Sequence, residues 1–314
     1  MKKLLISAIL STMVCTIIAQ QLPQVSHFMY DNLRINPGSA GSMDMICVTG
    51  IYRNAMVGFP GKPENFFFNV EAPFNIARTK HGVGLSMYRD AIGFNSDINF
   101  QLGYAFRVSI GDGTLGIGIN GSLFDKSLDP EWQPSEDVNL DDNIPSGDAD
   151  MTFSIGAGLF YRREDIYFGA SVLNINNPEV IAPSGNSENN ESKYNLNRHY
   201  YVTTGYNMQL TNPAWEIKPA VLLKSDGTAT DMDFNLTVAY NKKFWGGVSY
   251  RTAGTVIGMI GFQLFEGLKI GYSYDFPVTT MMKYQQGTHE ILLNYCFKIG
   301  VEKAPQKYKS IRYL

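Results

Sequence analysis

The chain has 314 residues, 13% of them aromatic and 30 of them glycine, with a formal net charge of −3. That acidic balance argues against a nucleic-acid binder, because phosphates call for clustered Lys and Arg. A helical membrane protein needs repeated apolar runs of about 18 residues or more. Only one stretch comes close, and it lies at the very start.

That stretch reads as a signal peptide over residues 1–19. Lys2 and Lys3 form a basic n-region, Leu4 to Ile18 an apolar h-region, and Ala19 offers a small residue at the cut. Cys15 follows Val14, which is too large for a typical lipobox, so no lipid anchor is expected. Without Lys2 and Lys3, 24 basic side chains face 29 acidic ones, a net charge of −5. Cys47 and Cys296 are the cysteines left after cleavage. No C-x-x-C spacing is present, and neither metal nor cofactor is expected.

From Ile46 onward apolar and polar residues alternate, the period of a strand with two different faces. Segments of this kind begin near Ile46, Asn65, His81, Asp97, Thr114, Met151, Asp165, His199, Trp215, Asp231, Phe244, Thr255, Leu268 and Thr288. In residues 97–108, Ile98, Phe100, Leu102, Tyr104 and Phe106 oppose Asp97, Asn99, Gln101 and Arg107. In residues 114–124, Ile117, Ile119 and Leu123 oppose Thr114, Asn120 and Ser122. In residues 231–241, Met232, Phe234, Leu236, Val238 and Tyr240 oppose Asp231, Asp233, Asn235 and Thr237. Pro219 predicts a bulge or distortion in the ninth segment.

Gly111, Gly113 and Gly116 spell G-x-G-x-x-G, but a dinucleotide fingerprint needs a helix to follow. Here the alternation runs straight through Gly116, which reads as a hairpin turn entering a Gly-rich strand. The loop from Asp125 to Asp150 is rich in carboxylates, including Asp129, Glu131, Glu136 and Asp141, but lacks EF-hand spacing and reads as a solvated acidic loop. His27, His81, His199 and His289 stand in no recognised nucleophile motif, so catalysis is not expected.

The connections decide between a soluble sandwich and a membrane barrel. Counted from the first strand, the even ones are short after the first, as at 110–113, 162–164 and 266–267, while the long polar ones at 126–149, 175–197 and 275–287 are odd. Short periplasmic turns alternating with long extracellular loops are the outer-membrane pattern. The expected fold is therefore all-β, a closed antiparallel transmembrane β-barrel of about fourteen strands over residues 43–300. Residues 20–42 form a periplasmic N-terminal segment that plugs or rims the mouth, and 301–314 a basic periplasmic tail. Both mature termini are placed in the periplasm. Closure is required because an open edge in lipid leaves backbone groups unpaired, at several kcal/mol each.

Closure pairs the first strand with the last. Ile46, Val48 and Tyr52 read as lipid-facing, as do Ile291, Leu293, Tyr295 and Phe297. Cys47 and Arg53 then face inward with Glu290 and Cys296. If Cys47 opposes Cys296, the same antiparallel register sets Arg53 opposite Glu290. Opposed residues lie within bridging range and the periplasm permits disulfides. A pair of free buried thiols is the other reading.

The segment PQVSHFMYDNLRINPGSAGS from Pro23 to Ser42 resembles the opening of the PorP/SprF family of type IX secretion proteins. Gln24, Ser26, Met29, Asn36, Pro37, Ala40 and Gly41 match, while Phe28 stands where the family favours Tyr. The resemblance continues through Gly58 to Pro63, Gly271 to Phe276, and Gly287 to Ile291 with His289 and Glu290, and ends in the tail. It implies an integral outer-membrane component of the type IX secretion and gliding machinery that supports export or surface attachment of cargo proteins. Its implied partners are other secretion components and cargo C-terminal domains. Lys307, Lys309 and Arg312 in the tail are candidate partner-binding residues. The competing class is a general diffusion porin, with loop 126–149 folded inward as a constriction.

Overall fold

The computed structural model describes residues 22–128, 150–183 and 191–298. The signal segment 1–19, the acidic loop from Asp129 to Asp148 and the tail with Lys307, Lys309 and Arg312 lie outside the described residues.

The fourteen barrel strands are β1 (Ile46–Asn54), β2 (Glu64–Ile76), β3 (Thr79–Ile92), β4 (Asn95–Ile110), β5 (Gly113–Leu128), β6 (Asp150–Arg162), β7 (Ile166–Leu173), β8 (His199–Tyr206), β9 (Trp215–Ser225), β10 (Thr230–Tyr240), β11 (Phe244–Arg251), β12 (Thr255–Phe265), β13 (Leu268–Pro277) and β14 (Thr288–Phe297). Each pairs antiparallel with its sequence neighbours, β8 with β9 included, and β14 closes on β1. A closed ring has no edge to leave unpaired in lipid. The alternation in the sequence is the alternation of faces: Leu102 and Ile119 are more than 60% exposed, while Gln101, Asn120 and Ser122 are buried in the lumen. The apolar stripe that would be a liability on a soluble protein is the surface lipid covers.

Two details differ from the sequence reading. The first even connection is also a tight turn, Ala77-Arg78, with φ of 47° and 70°. Both residues are left-handed, as a two-residue hairpin turn demands, but neither is the Asn or Gly that usually signals one. At Pro219 the expected irregularity is a distortion of the ladder and not a bulge. The register of Pro219 with Leu236 on β10 is unbroken, and only the ladder toward β8 lapses, between the Gly205–Ala220 and Met208–Ile217 pairs. Proline has no N–H to donate there. The register shift that does occur lies in β12, between Gln263 and Phe265.

Between β7 and β8, Glu179–Pro183 and Glu191–Asn195 pair as a separate hairpin. Val180 and Leu196, both buried, bring this connection against the barrel interior with Ile51, Phe67, Tyr88 and Phe124. Within what read as one loop over 175–197, residues 175–183 and 191–197 therefore lie against the long-loop end of the lumen.

At the seam, β1 and β14 pair Cys47 with Cys296 and Arg53 with Glu290, and the two cysteines form a disulfide. The bond joins strands 249 positions apart in the chain. Replacing both cysteines with serine is expected to cost about 2–4 kcal/mol, from the freedom returned to the unfolded chain. The check is the urea midpoint of the detergent-solubilised barrel. An unchanged midpoint would show that the hydrogen-bond ladder alone holds the seam.

Candidate functional site

Residues 22–45 contain no barrel strand and lie in the lumen itself. The sequence reading has this segment plug or rim the mouth on the short-turn side, and the correction concerns how far it reaches up the lumen. Leu22 instead packs near Ile51, Tyr88 and Phe124 in the long-loop half, beside Val25. The chain then descends through short helical turns at Phe28–Tyr30, Asn32–Ile35 and Pro37–Ser39 to reach β1 at the turn end. It can do so because the inward faces of β3, β5 and β6 carry glycine. A Cβ on Gly82 would fall 1.9 Å from the Ala40 carbonyl oxygen, and one on Gly118 2.3 Å from the Gly38 nitrogen. Gly116, read above as part of a Gly-rich strand, meets Gly38 in the same way.

Asn36 and Pro37 fix the lower turn. Pro37 sits at the first helical position, where its missing N–H costs nothing. The Asn36 side chain accepts from the Gly38 N–H at 2.9 Å and donates to the Leu159 carbonyl on β6 at 2.9 Å. Ala40 is fully buried against Leu33 and Ala105. Gly41, at φ 67°, donates its N–H to Glu71 at 2.8 Å. Met29 and Gln24 are half-buried in the same segment.

The upper half is held by charge. Glu290 accepts the backbone N–H of Ser26 and of His27, each at 2.8 Å. His27 Nδ1 lies 2.7 Å from Glu290 Oε1. An ionised carboxylate only accepts, so Nδ1 carries the proton. Arg53 donates to Glu290 at 3.0 Å, to Asp275 at 2.7 Å and to the Ser26 hydroxyl at 2.7 Å. The network continues through Arg251, 2.6 Å from Asp233 and 3.4 Å from the Val25 carbonyl, to Lys224, 3.0 Å from Asp233 and 3.2 Å from Asp231. Arg53, Arg251 and Lys224 thus face four carboxylates, Glu290, Asp275, Asp233 and Asp231. Sequence reasoning found Ser26, Arg53 and Glu290 but passed over Asp275, Arg251 and Lys224. Their signal was an ionisable residue on the inward face of a membrane strand, which is functional or paired by default.

A second group sits lower in the plug. Asp31 accepts from Arg34 at 2.6 Å and from Asn69 at 2.7 Å, and the Arg34 guanidinium lies 5.0 Å from the Phe67 ring centre. Burial pushes the Asp31 carboxyl up against the pull of Arg34. Burial likewise pushes the Tyr30 phenol up to about 12, which keeps it neutral.

His289 does not join the site. It is next to Glu290 in sequence, so in a strand it faces the other way, and its ring meets the Tyr272 hydroxyl at 2.6 Å outside the lumen.

A family model described as type IX secretion system membrane protein PorP/SprF matches residues 17–295. No curated protein matches the sequence. Among solved structures, the CymD monoaromatic hydrocarbon channel is similar with a TM-score of 0.50 at 10% identity, over 86% of this chain and 93% of that one. The Pseudomonas putida toluene transporter (P. putida TodX) gives 0.46 at 12%, over 84% and 92%. The Ralstonia pickettii toluene transporter TbuX gives 0.46 at 11%, over 86% and 94%. At these identities the likeness speaks for the barrel fold alone.

Proposed function

Because the chain belongs to the PorP/SprF family of type IX secretion system membrane proteins, we propose that it serves that machinery as a plugged outer-membrane scaffold for export or surface attachment of cargo, and neither as an open pore nor as an enzyme. The observation that carries this reading is the placement of Ser26 to Gly41 along the lumen, where an aqueous channel would otherwise run. A diffusion porin keeps its lumen open and polar. Here the lumen's polar side chains bind the protein's own backbone.

In this reading the short-turn end faces the periplasm and the long loops face outward. The partners are other secretion components and cargo C-terminal domains, with Lys307, Lys309 and Arg312 as a periplasmic docking segment. The test is the purified barrel in a planar bilayer, together with mass spectrometry of what co-purifies with it. A silent barrel that brings secretion components along is the expected result. Steady conductance without such partners would favour the porin.

A further inference from the structure

Two cavities adjoin at the short-turn end, a chamber of about 190 Å³ against the plug and a wider vestibule of about 490 Å³ reaching the turns. Tyr30, Trp245, Lys218 and Lys269 line both. The Tyr30 and Trp245 rings lie 6.1 Å apart at 35°, forming an aromatic shelf whose far end is the edge of His27. The barrel wall is thinned to seat the indole. Gly261 and Gly271 face each other across β12 and β13, and a Cβ on either would fall within 2.8 Å of it.

The charges around this shelf do not balance locally. Lys218 is bridged to Glu216 at 2.8 Å. Glu71, the carboxylate of the chamber, is taken up by the Gly41 N–H. Arg162 lines the chamber with no ion pair inside 4.0 Å among the described residues. Lys269 has no acceptor at all among them. Its ammonium rests 5.6 Å from the Tyr30 ring centre. Two half-buried cations from opposite walls, β6 and β13, thus converge on one chamber, and among the described residues neither makes an ion pair inside 4.0 Å with its carboxylate, Glu71. Cations withdrawn from water are costly unless paired, and a bound anion supplies the pair.

We propose that this chamber binds a carboxylate carried beside an aromatic ring, the ring lying against Tyr30 and Trp245 and the carboxylate accepting from Lys269 and Arg162. Two sources carry that chemistry, a free aryl-alkanoic acid and the C-terminal aromatic residue of a peptide. The site rests on the chamber's geometry and stands whether or not the barrel conducts.

The experiment is calorimetric titration of the full-length barrel in nanodiscs. The probes are 3-phenylpropionate, its amide, and a tripeptide ending in phenylalanine with a free or amidated carboxyl. At least one acid should bind roughly tenfold more tightly than its amide, as a charge-assisted contact requires. Lys269→Met should abolish that preference, and Lys62→Met at the long-loop end, away from both cavities, should leave it intact. Tyr30→Leu, which keeps the cations, should weaken acid and amide together. Binding by the free acid identifies a small-molecule site, and binding by the peptide alone a chain-end site. Equal affinity for acid and amide, no binding by any probe, or an acid preference that survives in folded Lys269→Met would each overturn the proposal.

Discussion

Replacing Gly118 with valine should turn a silent barrel into a conducting one. The position faces the lumen, and a Cβ there would lie 2.3 Å from the backbone of Pro37 and Gly38. Backbone on both sides cannot give way as a flexible side chain could. Overpacking of this kind costs about 1–3 kcal/mol, occasionally more. That cost falls on the plug, because β5 is held on both sides by long ladders to β4 and β6. The expected outcome is a barrel that still shows heat-modifiable migration on a gel and now passes ions. Gly258→Val is the control, since that glycine has nothing within 4 Å of the added carbon. A Gly118 variant that folds and stays silent would falsify the view that the plug is what closes the lumen.

Arg53→Met should produce the largest loss of stability. Arg53 holds Glu290 and Asp275 at once and donates to Ser26 as well. Removing it leaves two buried carboxylates short of a partner, and breaking a buried pair from one side costs about 3–5 kcal/mol. The measurement is the denaturation midpoint, with Glu290→Gln combined to complete a double-mutant cycle. The double variant should lose less than the sum of the singles, with a coupling of about 0.5–3 kcal/mol. Strict additivity would mean that the two groups do not act on each other. The exposed Arg163–Asp165 pair in the β6–β7 turn is the contrast. In water and salt it contributes little, and Asp165→Asn should leave the midpoint where it was.

The strands were legible because lipid and lumen impose opposite demands on neighbouring residues. Asp231, Asp233 and Asn235 can alternate with Met232 and Phe234 only if the two faces meet different media. The N-terminal segment was legible as something outside the strands, since Asn36-Pro37-Gly38 breaks extended structure. That it plugs or rims the mouth was also expected, but its course up the lumen to the long-loop half was not. That course is set by glycines far away in sequence, Gly82, Gly116 and Gly118, whose role shows only when the backbone they admit is beside them. The hairpin over 179–195 escaped for a related reason. Its apolar anchors, Val180 and Leu196, are two residues in a polar loop and make no periodic pattern. The Lys269 chamber was equally hidden, because Arg162, Lys218 and Lys269 come together only through the curvature of the closed ring.

The anchoring of Ser26 and His27 has a consequence for the order of assembly. Both bind Glu290, which lies 264 and 263 positions away. Until β14 arrives, the backbone of Ser26 and His27 lacks the carboxylate it donates to, and β1 has no partner on its free edge. Contacts of such sequence separation form late, because the loop between them must be closed first. Seating of the head and sealing of the wall are therefore one cooperative event, and it is the last one. A chain truncated before β14 loses more than a strand. The lower plug still finds its partners on β2 to β7, but Ser26 and His27 are left without the carboxylate that fixes the upper half.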